Sequence, residues 1–146
     1  MGGLLGSVDL FRTNRVNEGI WVARILVIDD DEAVNSCTCR ILQHDGHEVV
    51  SVLCPDEGIP LFRETPFDLV VTDINMPTKD GHQTIRELTS EFPGVQIIAV
   101  SGSGGVIGRD GNLKRAEELG ARASVAKPFT VAELNSVVCK VLGDQA

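Results

Sequence analysis

Short apolar runs alternate along the chain with stretches in which apolar residues recur at helical spacing. The short runs are rich in Ile, Val and Leu and are bounded by polar or glycine-containing segments. This pattern is typical of strands buried within a parallel sheet. The runs predict five strands, over residues 25–28, 48–53, 67–73, 96–101 and 123–127.

The stretches between these runs predict helices. After Asp31, the residues Val34, Cys37 and Ile41 repeat at helical spacing, and Gly46 is a common type of residue at a helix end. Further helices are predicted over residues 55–64, 81–91 and 113–119, and residues 102–111 predict a glycine-rich loop that we expect to be mobile.

The last helix is predicted from its start signal and its apolar stripe. Thr130 and Glu133 have the spacing of a capping box. The stripe that follows consists of Leu134, Val137, Val138, Val141 and Leu142. Five β–α units in succession predict a doubly wound α/β fold, a five-stranded parallel sheet with helices on both faces. Right-handed crossovers limit the strand orders that such a sheet can have.

The length of 146 residues fits one domain with a sizeable core. Residues 1–22 are rich in Gly and Asn and lack sustained periodicity, so they predict a flexible N-terminal extension, with a short helical turn near residues 8–12. Residues 23–146 then form the domain.

Composition and charge exclude several classes of function. The net charge of −8 argues against a nucleic-acid surface, which needs clustered Lys and Arg. No apolar run is long enough to cross a membrane, and no signal peptide is evident. The four cysteines form no CxxC pair, so we expect reduced thiols in the cytoplasm, with Cys37 and Cys139 in the core.

Polar residues follow four of the predicted strands at the point where each strand ends. Asp29 and Asp30 follow the first, Asp73 ends the third, Ser101 ends the fourth, and Lys127 ends the fifth. Ligands of open α/β sheets bind at the carboxyl ends of the strands, so these side chains should converge. Adjacent carboxylates call for a cation, and oxygen ligands suit Mg²⁺. An aspartate can also attack phosphorus, with a lysine and a hydroxyl beside it to receive the phosphoryl oxygens.

Each of these residues taken alone has a structural explanation. The aspartate pair could be a solvated strand end or a helix cap, and Asp31 or Glu32 could cap equally well. Lys127 could be a surface lysine, and Ser101 could be an ordinary loop residue. All of them together, each closing a strand, predict a phosphoryl-transfer site with an acidic metal pocket.

Four segments resemble the receiver domain of two-component response regulators. They are residues 25–30 (ILVIDD), 72–77 (TDINMP), 99–102 (AVSG) and 127–129 (KPF), and the resemblance covers residues 23–143. It implies a flavodoxin-like strand order, 2-1-3-4-5. It also implies a phosphoryl group that comes from a sensor histidine kinase or a histidine phosphotransfer protein. The signal would then pass to an unknown downstream protein by contact, without nucleic acid or membrane.

The resemblance also implies roles for individual residues. Asp73 resembles the phosphoacceptor. Asp30, Asp73 and the backbone carbonyl of Asn75 resemble the Mg²⁺ ligands, with Asp29 acting through water. Ser101 resembles the switch hydroxyl. Lys127 resembles the lysine of the family, whose bond to the next residue, here Pro128, is usually cis, and Gly81 matches the glycine that opens the third helix.

Three features depart from the family pattern. Ser124 stands where a Tyr or Phe switch is usual, Gly102 stands where Ala is common, and the loop over residues 103–111 is longer and richer in glycine. We therefore expect that output is transmitted by ordering this loop and shifting the helix over residues 113–119.

Two other readings remain open. An aspartate-nucleophile phosphatase of the haloacid dehalogenase type wants a second aspartate two residues after the first. Asp29 has Asp31 at that position, whereas Asp73 has Asn75. The other alternative is an interaction module of the same fold that is never phosphorylated.

Overall fold

The computed structural model describes residues 15–17, 20–75, 81–102 and 109–143. Its strands are β1 (Arg15–Asn17), β2 (Ile20–Val22), β3 (Arg24–Ile28), β4 (Glu48–Val52), β5 (Leu69–Asp73), β6 (Ile97–Ser101) and β7 (Ala123–Ala126). Its helices are α1 (Glu32–His44), α2 (Pro55–Glu64), α3 (Gly81–Glu91), α4 (Arg109–Leu119) and α5 (Val131–Gly143).

Five parallel strands form the main sheet in the order β4-β3-β5-β6-β7. Numbered along the domain, this order is 2-1-3-4-5, so the predicted doubly wound fold is confirmed. The three central strands are almost wholly buried, whereas β4 and β7 at the edges are half-buried. This difference explains why the central strands are continuous apolar runs in the sequence.

Successive residues of each strand face opposite sides of the sheet, which gives the domain two apolar layers. Ile25 and Val27 of β3 pack in the layer that also contains α1 and α5. Leu26 and Ile28 pack in the layer that contains α2, α3 and α4. Within the described ranges, no helix is long and apolar enough to span a membrane.

The segment before the main sheet contains a hairpin that the sequence pattern did not predict. Strands β1 and β2 pair antiparallel, with Arg15 opposite Val22. The following residue, Ala23, donates its N–H to Nδ1 of His47 at 3.0 Å, which joins the segment to the turn before β4. Three-residue strands are too short for a period to be recognised. The helical turn predicted near residues 8–12 lies outside the described residues.

The buried face of α1 differs from the predicted stripe. Asn35, Thr38, Ile41 and Leu42 are buried, whereas Cys37 is exposed, so its predicted place in the core is wrong. Polar side chains occupy half of the buried face, which therefore lacks an apolar signal. The same prediction is wrong for Cys139 of α5, which is exposed beside a stripe of larger apolar residues.

Helix α4 begins at Arg109, four residues earlier than predicted, so the glycine-rich segment is shorter than expected. Gly111 lies inside this helix, where glycine is unfavourable by about 1 kcal/mol relative to alanine but is not excluded. Residues 103–108 lie outside the described ranges. The predicted capping box is present at α5, because Thr130 Oγ1 accepts from Glu133 N–H and Glu133 Oε1 accepts from Thr130 N–H.

Candidate functional site

Three aspartates meet at the carboxyl edge of the sheet. Asp29 and Asp30 follow β3, and Asp73 ends β5, which is the neighbour of β3. One carboxylate oxygen from each of the three lies within 4.8 Å of the others. Asp29 and Asp73 are each only 4% exposed, whereas Asp30 is exposed to solvent. The cluster is therefore buried on one side and open on the side of Asp30.

Lys127 links the two buried carboxylates. It follows β7, and its Nζ lies 3.1 Å from Asp29 Oδ2 and 3.3 Å from Asp73 Oδ2. Its backbone N–H donates to the carbonyl oxygen of Ser101 at 2.8 Å, which fixes the end of β7 against β6. The bond to Pro128 is cis, as the resemblance implied. One ammonium group thus contacts two strands across the sheet.

Backbone N–H groups hold the second oxygen of each buried carboxylate. Asp29 Oδ1 accepts from Asp31 N–H at 2.9 Å, and Asp73 Oδ1 accepts from Asn75 N–H at 3.1 Å. Each aspartate therefore presents Oδ2 to Lys127 while Oδ1 is held locally. Asp31 is the N-cap of α1 and accepts from the backbone N–H groups of residues 33 and 34.

The charges at this edge are unequal in number. Burial raises the pKa of Asp29, and the nearby Asp73 raises it further, although the Asp31 N–H and the Lys127 ammonium oppose the shift. Burial alone would lower the pKa of Lys127, but the carboxylates of Asp73 and Asp29 outweigh it and raise that pKa. Three carboxylates beside one ammonium leave excess negative charge. Clustered carboxylate oxygens with one side open to water are a donor set that suits Mg²⁺.

Ser101 lies at the same edge and is fully buried. Its Oγ donates to the carbonyl oxygen of Gly102 at 3.1 Å. Within β6 its neighbour Val100 is opposite Asp73 in the sheet. The hydroxyl therefore lies one residue beyond the level of the buried aspartate, on the adjacent strand.

Ser124 makes a contact that the sequence did not predict. Its Oγ donates to Oε2 of Glu117 at 2.7 Å, which links β7 to α4. The next residue, Val125, packs in the opposite apolar layer, so Ser124 faces the α4 side. At the position where the resemblance implies an aromatic ring, this chain has a polar contact with a helix.

Asn35 is a further residue beside the site that was absent from the predicted set. It is buried on α1, and its amide donates to the carbonyl oxygen of Asp29 at the end of β3. The only signal for it in the sequence is an amide side chain on a helix face that otherwise packs into the core. An amide at such a position needs hydrogen-bond partners, and the strand ends are the nearest source of them.

Known proteins resemble this chain over most of its length. The response regulator protein FleR of Pseudomonas aeruginosa is 29% identical over 118 residues, which are 81% of this chain and 24% of FleR. The probable transcriptional regulator ycf27 of Porphyra purpurea is 34% identical over 119 residues, which are 82% of this chain and 47% of that protein. This chain thus spans less than half the length of these relatives.

A solved structure gives the same result for the fold. The response regulator receiver domain protein from Clostridium thermocellum superposes with a TM-score of 0.77 at 30% identity, and the match covers 84% of this chain and 96% of that one. The family model for the response regulator receiver domain matches residues 25–139. This range includes every strand of the main sheet except the first residue of β3, and every residue of the acidic site. The chain belongs to the response regulator receiver domain family.

Proposed function

We propose that the chain accepts a phosphoryl group on Asp73, in the presence of Mg²⁺, from a sensor histidine kinase or a histidine phosphotransfer protein. The observation that carries the proposal is the contact of Lys127 Nζ with both Asp29 and Asp73, next to the exposed carboxylate of Asp30. A signalling role of this kind belongs in the cytoplasm, with an unidentified protein as the downstream partner.

Four groups would hold the metal ion. Asp30, Asp73 and the backbone carbonyl of Asn75 would be direct ligands, and Asp29 would act through water. The ion supplies positive charge next to the oxygens of the transferring group, which lowers the electrostatic barrier to attack by an anion. The exposure of Asp30 leaves room for the water ligands that Mg²⁺ usually keeps.

The chain's own residues carry the transfer. A carboxylate oxygen of Asp73 attacks phosphorus, the phosphorus–nitrogen bond of the donor histidine breaks, and its electron pair remains on the imidazole nitrogen. The product on Asp73 is an acyl phosphate. Lys127 keeps its proton, because its pKa is raised, and pairs with a phosphoryl oxygen. The Ser101 hydroxyl would exchange the Gly102 carbonyl for another phosphoryl oxygen as its acceptor.

The signal would leave the site through α4. The Ser101 hydroxyl donates to the carbonyl oxygen of Gly102, so a turn of this hydroxyl would release a contact at the end of β6. Ser124 of β7 contacts α4 directly through Glu117. We expect hydrogen exchange over residues 102–119 to change on phosphorylation. Identical exchange in the two states would contradict this route for the output.

The test of the proposed chemistry is the intact mass after incubation with Mg²⁺ and acetyl phosphate. Wild type should gain one acid-labile group of about 80 Da, the mass of a phosphoryl group on a nucleophilic carboxylate. Asp73→Asn should not gain it. Asp31→Asn is the matched control, because asparagine caps a helix as well as aspartate does, and it should be modified like wild type.

The alternatives give different results in the same experiment. A phosphatase of the aspartate-nucleophile type would release phosphate from a small ester such as p-nitrophenyl phosphate over many turnovers. An interaction module that is never phosphorylated would bind Mg²⁺ without gaining mass. Either result would refute the proposed function.

A further inference from the structure

A buried amide side chain joins α1 to the strand end that carries the acidic pair. Asn35 lies on α1 and is 4% exposed. We propose that Asn35 is a positioning residue, which sets the direction of Asp29 and Asp30 for metal binding. The proposal rests on the proposed function, since it concerns the same metal pocket.

Both the nitrogen and the oxygen of the Asn35 amide form hydrogen bonds. Nδ2 donates to the carbonyl oxygen of Asp29 and to that of Val52, each at 3.0 Å. Oδ1 accepts from the Sγ of Cys39 at 3.5 Å, one helical turn further on. In an amide side chain only Nδ2 can donate, and it can donate to two acceptors, so the orientation of the amide follows from its partners.

The hydrogen bond from Asn35 to the Asp29 carbonyl affects the position of both Asp29 and Asp30. Its acceptor is the carbonyl oxygen of the peptide group that joins Asp29 to Asp30, so the amide fixes the plane of that peptide. The carbonyl of Val52 also accepts from Asp29 N–H at 3.3 Å, and thus Asn35 and Asp29 share one acceptor on β4. Asn35 therefore ties α1, the end of β3 and the end of β4 at a single point.

Residues that hold metal ligands in position without contacting the metal have a typical effect on metal affinity. Their substitution weakens metal affinity by about 10–100-fold, because the ligands no longer start in the binding geometry. Asn35 touches none of the carboxylate oxygens in the described contacts, and it acts on them only through the backbone. We expect its loss to change metal affinity by an amount within that range.

The test compares two substitutions on the same buried face of α1. Asn35→Leu removes both donors at similar volume. Thr38→Val is the control, because Thr38 is 3% exposed and lies about one turn beyond Asn35 along α1. The Mg²⁺ dissociation constant is measured by calorimetric titration at one pH and ionic strength, at a temperature where each variant is folded.

Asn35→Leu should raise the dissociation constant about 10–100-fold, whereas Thr38→Val should stay within about twofold of wild type. An unchanged constant in Asn35→Leu, or an equal loss in both variants, would overturn the proposal. If Asn35→Leu does not fold, Asn35→Ser is used instead, because a hydroxyl can donate only one of the two bonds. It should give a smaller change in the same direction.

A second measurement separates this proposal from the proposed function. If wild type itself does not bind Mg²⁺, the proposed function fails, and the positioning role is then tested without metal. The Asp31 N–H donates to Asp29 Oδ1, so its hydrogen exchange reports the geometry of this strand end. Faster exchange in Asn35→Leu but not in Thr38→Val would support the role, and equal exchange in all three proteins would overturn it.

Discussion

Gly58 of α2 faces the sheet and has little space beside it. A Cβ atom built on this residue would lie 3.0 Å from Ile28 Cδ1, 3.3 Å from Ile28 Cγ1 and 3.3 Å from Val52 Cγ2. Ile28 is fully buried, so it has little room to move. Gly58→Ala should gain up to about 1 kcal/mol of helix propensity but lose about 1–3 kcal/mol from overpacking. We expect the free energy of unfolding to fall by about 0.5–2 kcal/mol.

Urea denaturation with linear extrapolation measures this change. The slopes of the wild-type and variant curves should agree, because the surface exposed on unfolding is the same. Each 1 kcal/mol should also lower Tm by about 2–4 °C for a chain of this size. Gly143→Ala is the matched control, since a Cβ there would have no neighbour within 4 Å. Its free energy of unfolding should stay within about 0.5 kcal/mol of wild type.

A double-mutant cycle tests the cause of the loss. Ile28→Val removes Cδ1, the atom closest to the added methyl group, and should cost about 0.5–1.5 kcal/mol by itself. In that background Gly58→Ala should cost about 0.5–1 kcal/mol less than in wild type, because the methyl group fills the vacated space. The reasoning is refuted if Gly58→Ala is as stable as wild type, or if its cost is the same in both backgrounds.

Three further predictions follow from buried charges and caps. Lys127→Met leaves two buried carboxylates without their ammonium group, so the free energy of unfolding in EDTA should fall by about 3 kcal/mol or more. Saturating Mg²⁺ should then add more stability to this variant than it adds to wild type. Equal urea midpoints for the variant and wild type in EDTA would contradict this prediction. Burial lowers the pKa of His47 in the folded chain below its ordinary value of 6.5. At a pH between the folded and unfolded pKa values, the unfolded chain binds a proton that the folded chain does not. The free energy of unfolding should therefore fall as pH drops below about 6.5. His44→Gln should keep this dependence in urea denaturation and His47→Gln should weaken it; no difference between them would exclude His47 as its source. Thr130→Ala removes the acceptor that caps α5 and should cost about 1 kcal/mol in thermal denaturation, whereas Thr130→Ser should match wild type; a loss in both would show that the hydroxyl is not the cause.

The convergence of the acidic site could be predicted because it depends on strand ends alone. In a parallel sheet the carboxyl ends of all strands lie at one edge, so a residue that closes an apolar run is placed by topology. Asp29, Asp73 and Lys127 each close such a run, and Lys127 Nζ lies 3.1 Å from Asp29 Oδ2 and 3.3 Å from Asp73 Oδ2.

The helix faces were harder to predict because polar residues can be buried when they have partners. Asn35 and Thr38 lie on the buried face of α1, whereas Cys37, which fits the apolar period, is exposed. Because periodicity treats only apolar residues as buried, it assigns a buried amide to the exposed face of the helix. The contact of Ser124 with Glu117 was missed for a related reason, since it joins two elements whose relative position depends on the complete fold.

Three identical adjacent residues, at positions 29–31, show how the fold assigns chemistry that the sequence leaves undetermined. Asp29 is buried and presents Oδ2 to the ammonium group of Lys127. Asp30 is exposed beside the cluster, where we propose that it exchanges water for a metal ion. Asp31 uses only the lone pairs of Oδ1 to cap α1, a task that a neutral oxygen performs equally well. The order of these roles follows from the strand end, because the chain leaves the buried sheet at residue 29 and turns into a helix at residue 32.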